Sequence, residues 1–329
     1  MLSVGLNPYG IAYTLGLQAR DTPRANPKPG GLEGFIAIAG ELKAKTLEIF
    51  EPWLAEFDAA GLARLKSRLA ELGMTPVVSG GLTSTPIDRA VAFAKALGAR
   101  AIRVALTRIL CGDRATLGDK WPQLVAEVRA SIGRAAKAAA EAGVTIVIEN
   151  HQDFGSAELV AFCEEAGPAV GICYDTGNSF PVAEAPLAFT RAVAPYVRHV
   201  HLKDYRVQFT DEGIRLVRCA IGDGAVPIRE IAAILGEHSP HLTAVLEPGA
   251  LEARHVRLLT PDWWQGYPPR SAEALAACLA AARVHRLADD ADYRTPWEQQ
   301  ADGEIVAYEM DMIRRSAANM RDIGLMEKT

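Results

Sequence analysis

Short apolar runs rich in β-branched residues alternate along the chain with longer segments whose apolar residues recur every three to four positions. The short runs predict strands over Leu2–Leu6, Thr46–Glu51, Thr75–Ser79, Ala101–Leu106, Val144–Glu149, Val170–Asp175, Val197–Lys203 and Thr243–Glu247. The longer segments predict helices over Gly31–Leu42, Ala55–Leu72, Pro86–Leu97 and Trp121–Ala142. Four more follow over Ala157–Ala166, Pro186–Val193, Pro227–Leu235 and Ser271–Ala288. Gly73, Gly98, Gly143 and Gly167 stand where a helix gives way to a strand, the place of a helix C-cap. Strands alternating with helices imply a parallel sheet with crossover helices. A count of eight strands predicts an α/β fold closed into a (β/α)8 TIM barrel. No GxGxxG follows the first strand, so a dinucleotide-binding sheet lacks its main signature. The barrel is assigned to residues 1–288. Residues 289–329 are charged and predict a C-terminal helical extension, with a helix over Asp302–Met320 that packs on the barrel, covers an edge or makes a dimer contact.

Composition narrows the partners. The chain has 329 residues, long enough for one such barrel. Its 35 Lys and Arg against 40 Asp and Glu give a net charge of −5, which argues against nucleic acid as the main partner. No apolar run reaches the length of a membrane span, and the opening MLSVGLNPYG is not a signal peptide. Cys111, Cys163, Cys173, Cys219 and Cys278 are scattered without a CxxC, which predicts reduced, buried thiols and a cytoplasmic setting. The expected partner is a small molecule, with a homo-oligomer left open.

The chemistry lies in the second half. Four successive apolar strands end in ionisable residues: Glu149, Asn150 and His151; Asp175 and Asn178; His199, His201, Lys203 and Asp204; and Glu247. In a parallel barrel these ends share the C-terminal face, where catalytic groups gather. Two glutamates, one aspartate and one histidine form a hard, oxygen-rich ligand set with one imidazole. Such a set suits one divalent metal ion (Mn²⁺, Mg²⁺, Co²⁺ or Zn²⁺) with positions open to substrate. The period of two along a strand puts His199 and Lys203 on the same side as His201. Lys203, nearest the mouth, is placed to meet a substrate oxygen or carboxylate, and His199 lies a layer deeper, behind the ligands. His151 reads as a substrate-binding or proton-transfer group. Glu48, Glu51 and Arg103 on early strands read as pocket contacts or rim ion pairs. Gly222, Asp223 and Gly224 shape a turn.

The series IENH, CYDTGN, HVHLKD, IGDGAVP and LEPG, with the opening NPYG and the strand LEIFEPW, resembles the xylose isomerase-like barrel superfamily of sugar isomerases and epimerases over about residues 1–285. The resemblance implies one divalent metal held by Glu149, Asp175, His201 and Glu247. It also implies that Glu149 and Glu247 exchange protons with a sugar or sugar-acid substrate. The implied reaction is isomerisation or epimerisation by proton transfer next to a carbonyl, through an enediolate. Three departures stand out. Asn178 replaces a substrate-contacting histidine of the ketose 3-epimerases. Gly155 replaces a further glutamate, and their arginine after the metal histidine is off its usual offset, with Arg206 nearby. AP endonucleases of the same superfamily need extra histidines that strands two to four do not supply.

The segment Pro248–Arg270 is long and rich in Arg, Trp and Tyr. A loop of this length is usually functional. Trp264, with Trp263 and Tyr267, is placed to stack on a sugar, and Arg270, Arg254 or Arg257 to hold a carboxylate or phosphate. The other reading is a packed excursion that staples the C-terminal helix to the barrel. The loop and the altered epimerase positions keep a lyase of the same fold as the alternative: a decarboxylase of a 3-oxo sugar acid such as 3-oxo-isoapionate, or an enzyme cleaving 3-keto C-glycosides. A non-catalytic sugar-binding barrel is the third reading.

Overall fold

Alternation of buried strand and amphipathic helix runs the length of the barrel in a computed structural model, which describes residues 2–82, 87–249 and 251–327. The strands are β1 (Ser3–Leu6), β2 (Thr46–Phe50), β3 (Thr75–Gly81), β4 (Ala101–Ala105), β5 (Thr145–Glu149), β6 (Val170–Asp175) and β7 (Val197–Leu202). Then come a hairpin, β8 (Tyr205–Thr210) and β9 (Gly213–Arg218), the last barrel strand β10 (Thr243–Leu246), and the short β11 (Arg254–Val256). The parallel order β1-β10-β7-β6-β5-β4-β3-β2 closes on itself. The expected (β/α)8 barrel is therefore present. Closure needs β1 and β2 to approach closely: a Cβ on Gly5 would fall 1.6 Å from the Thr46 carbonyl oxygen.

The helices are α1 (Gly31–Glu41), the single turn α2 (Glu51–Leu54), α3 (Ala59–Glu71), α4 (Ile87–Leu97), α5 (Trp121–Ala142), α6 (Ser156–Ala166), α7 (Pro186–Val193), α8 (Ile228–His238), α9 (Ala272–Ala282) and α10 (Ile305–Asp322). Each barrel helix buries one stripe, as α3 does with Leu62, Leu65 and Leu69. The expected start of α4 at Pro86 lies outside the described residues. The four glycines named above all adopt positive φ, Gly143 at 68° as the C-cap of α5.

One expectation changes. The helix expected over Ser271–Ala288 stops at Ala282. Arg283 caps it and His285 takes a φ of 55°. The stretch between Lys203 and the turn at Gly222, to which the sequence assigns no element, forms the β8–β9 hairpin. β11 joins it from the long segment after β10 in a three-stranded antiparallel sheet. The extension packs on the barrel through α10. Buried Glu309 accepts hydrogen bonds from the backbone N–H groups of Tyr13 and Thr14 and from the Thr14 hydroxyl. Among the described residues no helix is long and apolar enough to cross a membrane.

Candidate active site

Register brings the strand-end residues to one level. Asp175 on β6 pairs with His201 on β7, which pairs with Val245 on β10, two residues before Glu247. Glu149 ends β5, and the Glu247 N–H donates to the Leu202 carbonyl at 2.9 Å. Ligand atoms of Glu149, Asp175, His201 and Glu247 all lie within 4.8 Å of one another. An ion with bonds of about 2.1 Å sets opposite ligands about 4.2 Å apart, so only a small contraction is required.

The polar accounting of this cluster fits a cation. Glu149 Oε1 and Oε2, Glu247 Oε2 and His201 Nδ1 are buried without a hydrogen-bond partner among the described residues. His201 Nδ1 faces Glu247 Oε2 at 2.9 Å and Glu149 Oε1 at 3.3 Å. Buried acceptors that face one another without donors are costly unless something positive sits between them. The buried charges point the same way. Glu48, Glu149, Asp175 and Glu247 face Arg103, Lys203 and the His201 imidazole. Burial would lower the His201 imidazole, but Cys173 and the carboxylates around it raise it well above its ordinary value, so a cation arriving here takes over the charge of its proton. A deeper group, Cys173 with His199 and His201, is the poorer site. Burial pushes the Cys173 thiol up to about 12, and both nitrogens of His199 are engaged.

The electrostatics follow from burial and neighbours. Burial alone would raise Glu247, but Lys203 and His201 beside it hold its carboxyl at about 2. Burial would also raise Glu149, and Arg103, His151 and His201 keep it far below its ordinary value. Asp175 goes the other way, raised to about 7 by burial, with Lys203 opposing and Glu247 and Glu149 adding. Burial lowers the His151 imidazole, with Glu149 opposing, and its Nδ1 has no hydrogen-bond partner among the described residues.

Strand alternation holds on β7: His199, His201 and Lys203 all turn into the barrel. Both histidines meet Glu48, and Lys203 meets Asp175 and Glu247. Glu48 and Arg103, read earlier as pocket contacts or rim pairs, are core members of this network, with Glu48 fully buried. A cavity of about 390 Å³ opens beside it, lined by Tyr9, Phe50, Ser79, Arg103, Thr107 and Arg108 among others. Arg108 is exposed there, and among the described residues it makes no ion pair.

Other expected substrate contacts are committed elsewhere. Asn178 is buried and donates to Asp175 Oδ2 at 2.8 Å, so it orients a candidate metal ligand. Arg206 lies exposed on the β8–β9 hairpin and donates to the Asp223 carbonyl at 3.3 Å. Trp264 donates to the Leu258 carbonyl and packs on Trp263 and Tyr267. Arg270 pairs with Glu184 at 2.9 Å. The segment before Arg270, except residue 250, which lies outside the described residues, is a packed excursion. Trp263 is buried and donates to the Cys111 carbonyl, and Tyr267 donates to the Gly112 carbonyl. Gly222 and Gly224, as expected of a turn, aim their N–H groups at Asp204.

The model of a family described as xylose isomerase-like TIM barrel matches residues 36–255. Among curated proteins, the chain is 23% identical to 3-oxo-isoapionate decarboxylase of Pectobacterium atrosepticum, over 80% of this chain and 92% of that one. It is 29% identical to YihM of Escherichia coli K12 over 32% of this chain, a stretch spanning only 33% of YihM. Among solved structures, D-allulose 3-epimerase from Methylomonas sp. superposes with a TM-score of 0.57 at 16% identity, covering 98% of each chain.

Proposed function

Because the chain belongs to the xylose isomerase-like TIM-barrel family, we propose that it is an enzyme holding one divalent metal ion on Glu149, Asp175, His201 and Glu247 and moving a proton next to the carbonyl of a sugar or sugar acid. The observation that carries this is the convergence of buried polar atoms of Glu149, Glu247 and His201 that lack a hydrogen-bond partner among the described residues. Bound there, Mn²⁺, Mg²⁺, Co²⁺ or Zn²⁺ supplies a positive charge that stabilises negative charge developing on substrate oxygens.

The chain's own residues account for the proton. Glu149 and Glu247 stand three strand positions apart in the eight-strand ring, so they address a substrate between them from different sides. One carboxylate removes a proton and the other side returns it, which is isomerase or epimerase chemistry. His151, kept neutral by burial, is a second acceptor beside Glu149. Lys203 holds Glu247 and Asp175 in place and offers its ammonium to a substrate oxygen. The cavity beside Arg103 admits the substrate, and Arg108 meets the carboxylate of a sugar acid.

A lyase is the second reading, and two positions favour it. Asn178, where the 3-epimerases carry a substrate-contacting histidine, is committed to Asp175. At Gly155, where they carry a further glutamate, a Cβ would stand 2.6 Å from Glu184 Oε1 and 2.8 Å from Arg270 Nη2. The likeness to a decarboxylase over 92% of its length fits the same reading.

Metal-stripped protein, reloaded with Mg²⁺ or Zn²⁺, is to be screened against ketoses and 3-oxo sugar acids by NMR in D₂O. Deuterium entering next to the carbonyl without loss of carbon supports isomerisation or epimerisation. Carbon dioxide release supports the lyase. Full activity without metal sinks the metal assignment, and metal binding without exchange or turnover on any substrate leaves a binding protein.

A further inference from the structure

We propose that Glu48 is a positioning residue that decides which nitrogen of His201 faces the candidate metal ligands. The inference uses the metal reading above for its consequence and the barrel geometry for its cause. Glu48 projects from β2 into the barrel and is fully buried. Its Oε2 lies 2.7 Å from His201 Nε2 and 3.0 Å from His199 Nε2, and its Oε1 accepts from Arg103 Nε at 3.1 Å.

An ionised carboxylate only accepts hydrogen bonds, so both imidazoles present an N–H at Nε2. Arg103 pairs with the other oxygen of Glu48 inside the barrel, the partner that a buried carboxylate anion needs. With one proton fixed on Nε2, the nitrogen left to give up a proton to a metal is His201 Nδ1, which faces Glu247 Oε2 and Glu149 Oε1. That is the polarity a metal ligand needs, and carboxylates commonly enforce it on ligating histidines. His199 is locked by the same logic, its Nδ1 paired with the Thr243 hydroxyl at 2.7 Å. Asn7 Nδ2 is the competing group: it lies 3.4 Å from His201 Nε2, and Asn7 Oδ1 is pinned by the Tyr9 N–H. The shorter contact to a full negative charge prevails.

Glu48→Gln separates this role from mere packing. The amide keeps the volume but carries one acceptor and one NH₂ group. With the NH₂ toward the imidazoles, it donates to Nε2 and drives the His201 proton onto Nδ1. With the NH₂ toward Arg103, two donors collide. The first arrangement keeps the Arg103 bond, so the His201 polarity inverts.

The test uses ¹⁵N-histidine-labelled full-length protein and long-range ¹H–¹⁵N NMR, with Mn²⁺ titration followed by EPR. The unsubstituted protein is expected to carry a proton on His201 Nε2 both metal-free and Zn²⁺-loaded, with Nδ1 the metal-bound nitrogen when loaded. Glu48→Gln is expected to move the proton off Nε2 and weaken Mn²⁺ binding about 10- to 100-fold. Glu48→Asp, which keeps the charge, restores part of both. A role in packing alone would lower the melting temperature and leave the nitrogen signals unchanged, which overturns the proposal. So does an unprotonated Nε2 in the unsubstituted protein, a measurement that needs no variant to fold. Protein that binds no Mn²⁺ but keeps the Nε2 proton sinks the metal reading and supports the role of Glu48.

Discussion

Lys203 Nζ stands 2.9 Å from Glu247 Oε1, and the same nitrogen bonds Asp175, so one lysine bridges two of the four candidate metal ligands. Its ammonium is nearly inaccessible to solvent. It therefore offsets buried carboxylate repulsion before any divalent ion arrives. The metal and the lysine act on the same negative charge, and removing the lysine shifts more of the load to the metal.

Lys203→Met is expected to lower the stability of the metal-free protein by about 3–5 kcal/mol, the usual cost of stripping one partner from a buried ion pair. It is also expected to enlarge the stabilisation that Mn²⁺ confers. Thermal melts with chelator and with Mn²⁺ check both. A metal-induced rise no larger than in the unsubstituted protein would show that Lys203 does not share the charge.

Metal removal and ligand substitution form a second test. With the four-residue site intact, free Mn²⁺ at 100 times its Kd adds about 2.7 kcal/mol to unfolding stability. Glu149→Gln and Glu247→Gln each delete an acceptor that the protein does not otherwise satisfy. Each is expected to remove most of this increment and abolish turnover while circular dichroism stays that of the folded barrel.

How much of this was legible in the sequence follows from which interactions are local. Glu149, Asp175, His201 and Glu247 stood out because each closes an apolar strand, and closure of the barrel then supplies the rest. Glu48 sat in an equally apolar strand, but its partners His199 and His201 lie some 150 residues away, and nothing local marks such a pairing. The β8–β9 hairpin alternates Tyr205, Val207 and Phe209 with polar residues around the turn Asp211–Glu212. That signal was present, though obscured by its closeness to β7. Arg270 and Trp264 looked like free binding groups because their type suits sugar recognition. Their commitment to Glu184 and to the Leu258 carbonyl appears only once the loop is folded.

Asp153, which is not itself a candidate ligand although Glu149 adds to its shift, gives a pH test. Burial raises its carboxyl to about 7, although the Thr107 hydroxyl and the Phe154 N–H donate to it. Between its ordinary value of 3.8 and about 7 the folded protein holds a proton that the unfolded chain has released. Stability from this group is therefore full below pH 3.8 and is lost as pH rises through 7, by about 1.4 kcal/mol per pH unit. Urea melts of metal-loaded protein from pH 5 to 8 are expected to show a steeper fall for the unsubstituted protein than for Asp153→Asn. Parallel slopes would place the carboxyl near its ordinary value.

Arg114 tests whether the long segment after Glu247 is held as a packed excursion. Its side chain is fully buried between the rings of Tyr267 and Trp121, 3.9 and 4.5 Å from their centroids. It donates to the carbonyls of Asp153 and Gly266 at 2.8 Å and forks onto Glu158. One guanidinium thus ties the loop after β4, the turn after β5 and the segment after β10. Arg114→Ala removes these bonds and leaves buried acceptors open, a loss of about 3–5 kcal/mol. Hydrogen exchange is expected to accelerate at residues 258–267 and 111–114 while β5 and β6 stay protected. Uniform acceleration through the barrel would mean that Arg114 supports the whole core and not the excursion alone.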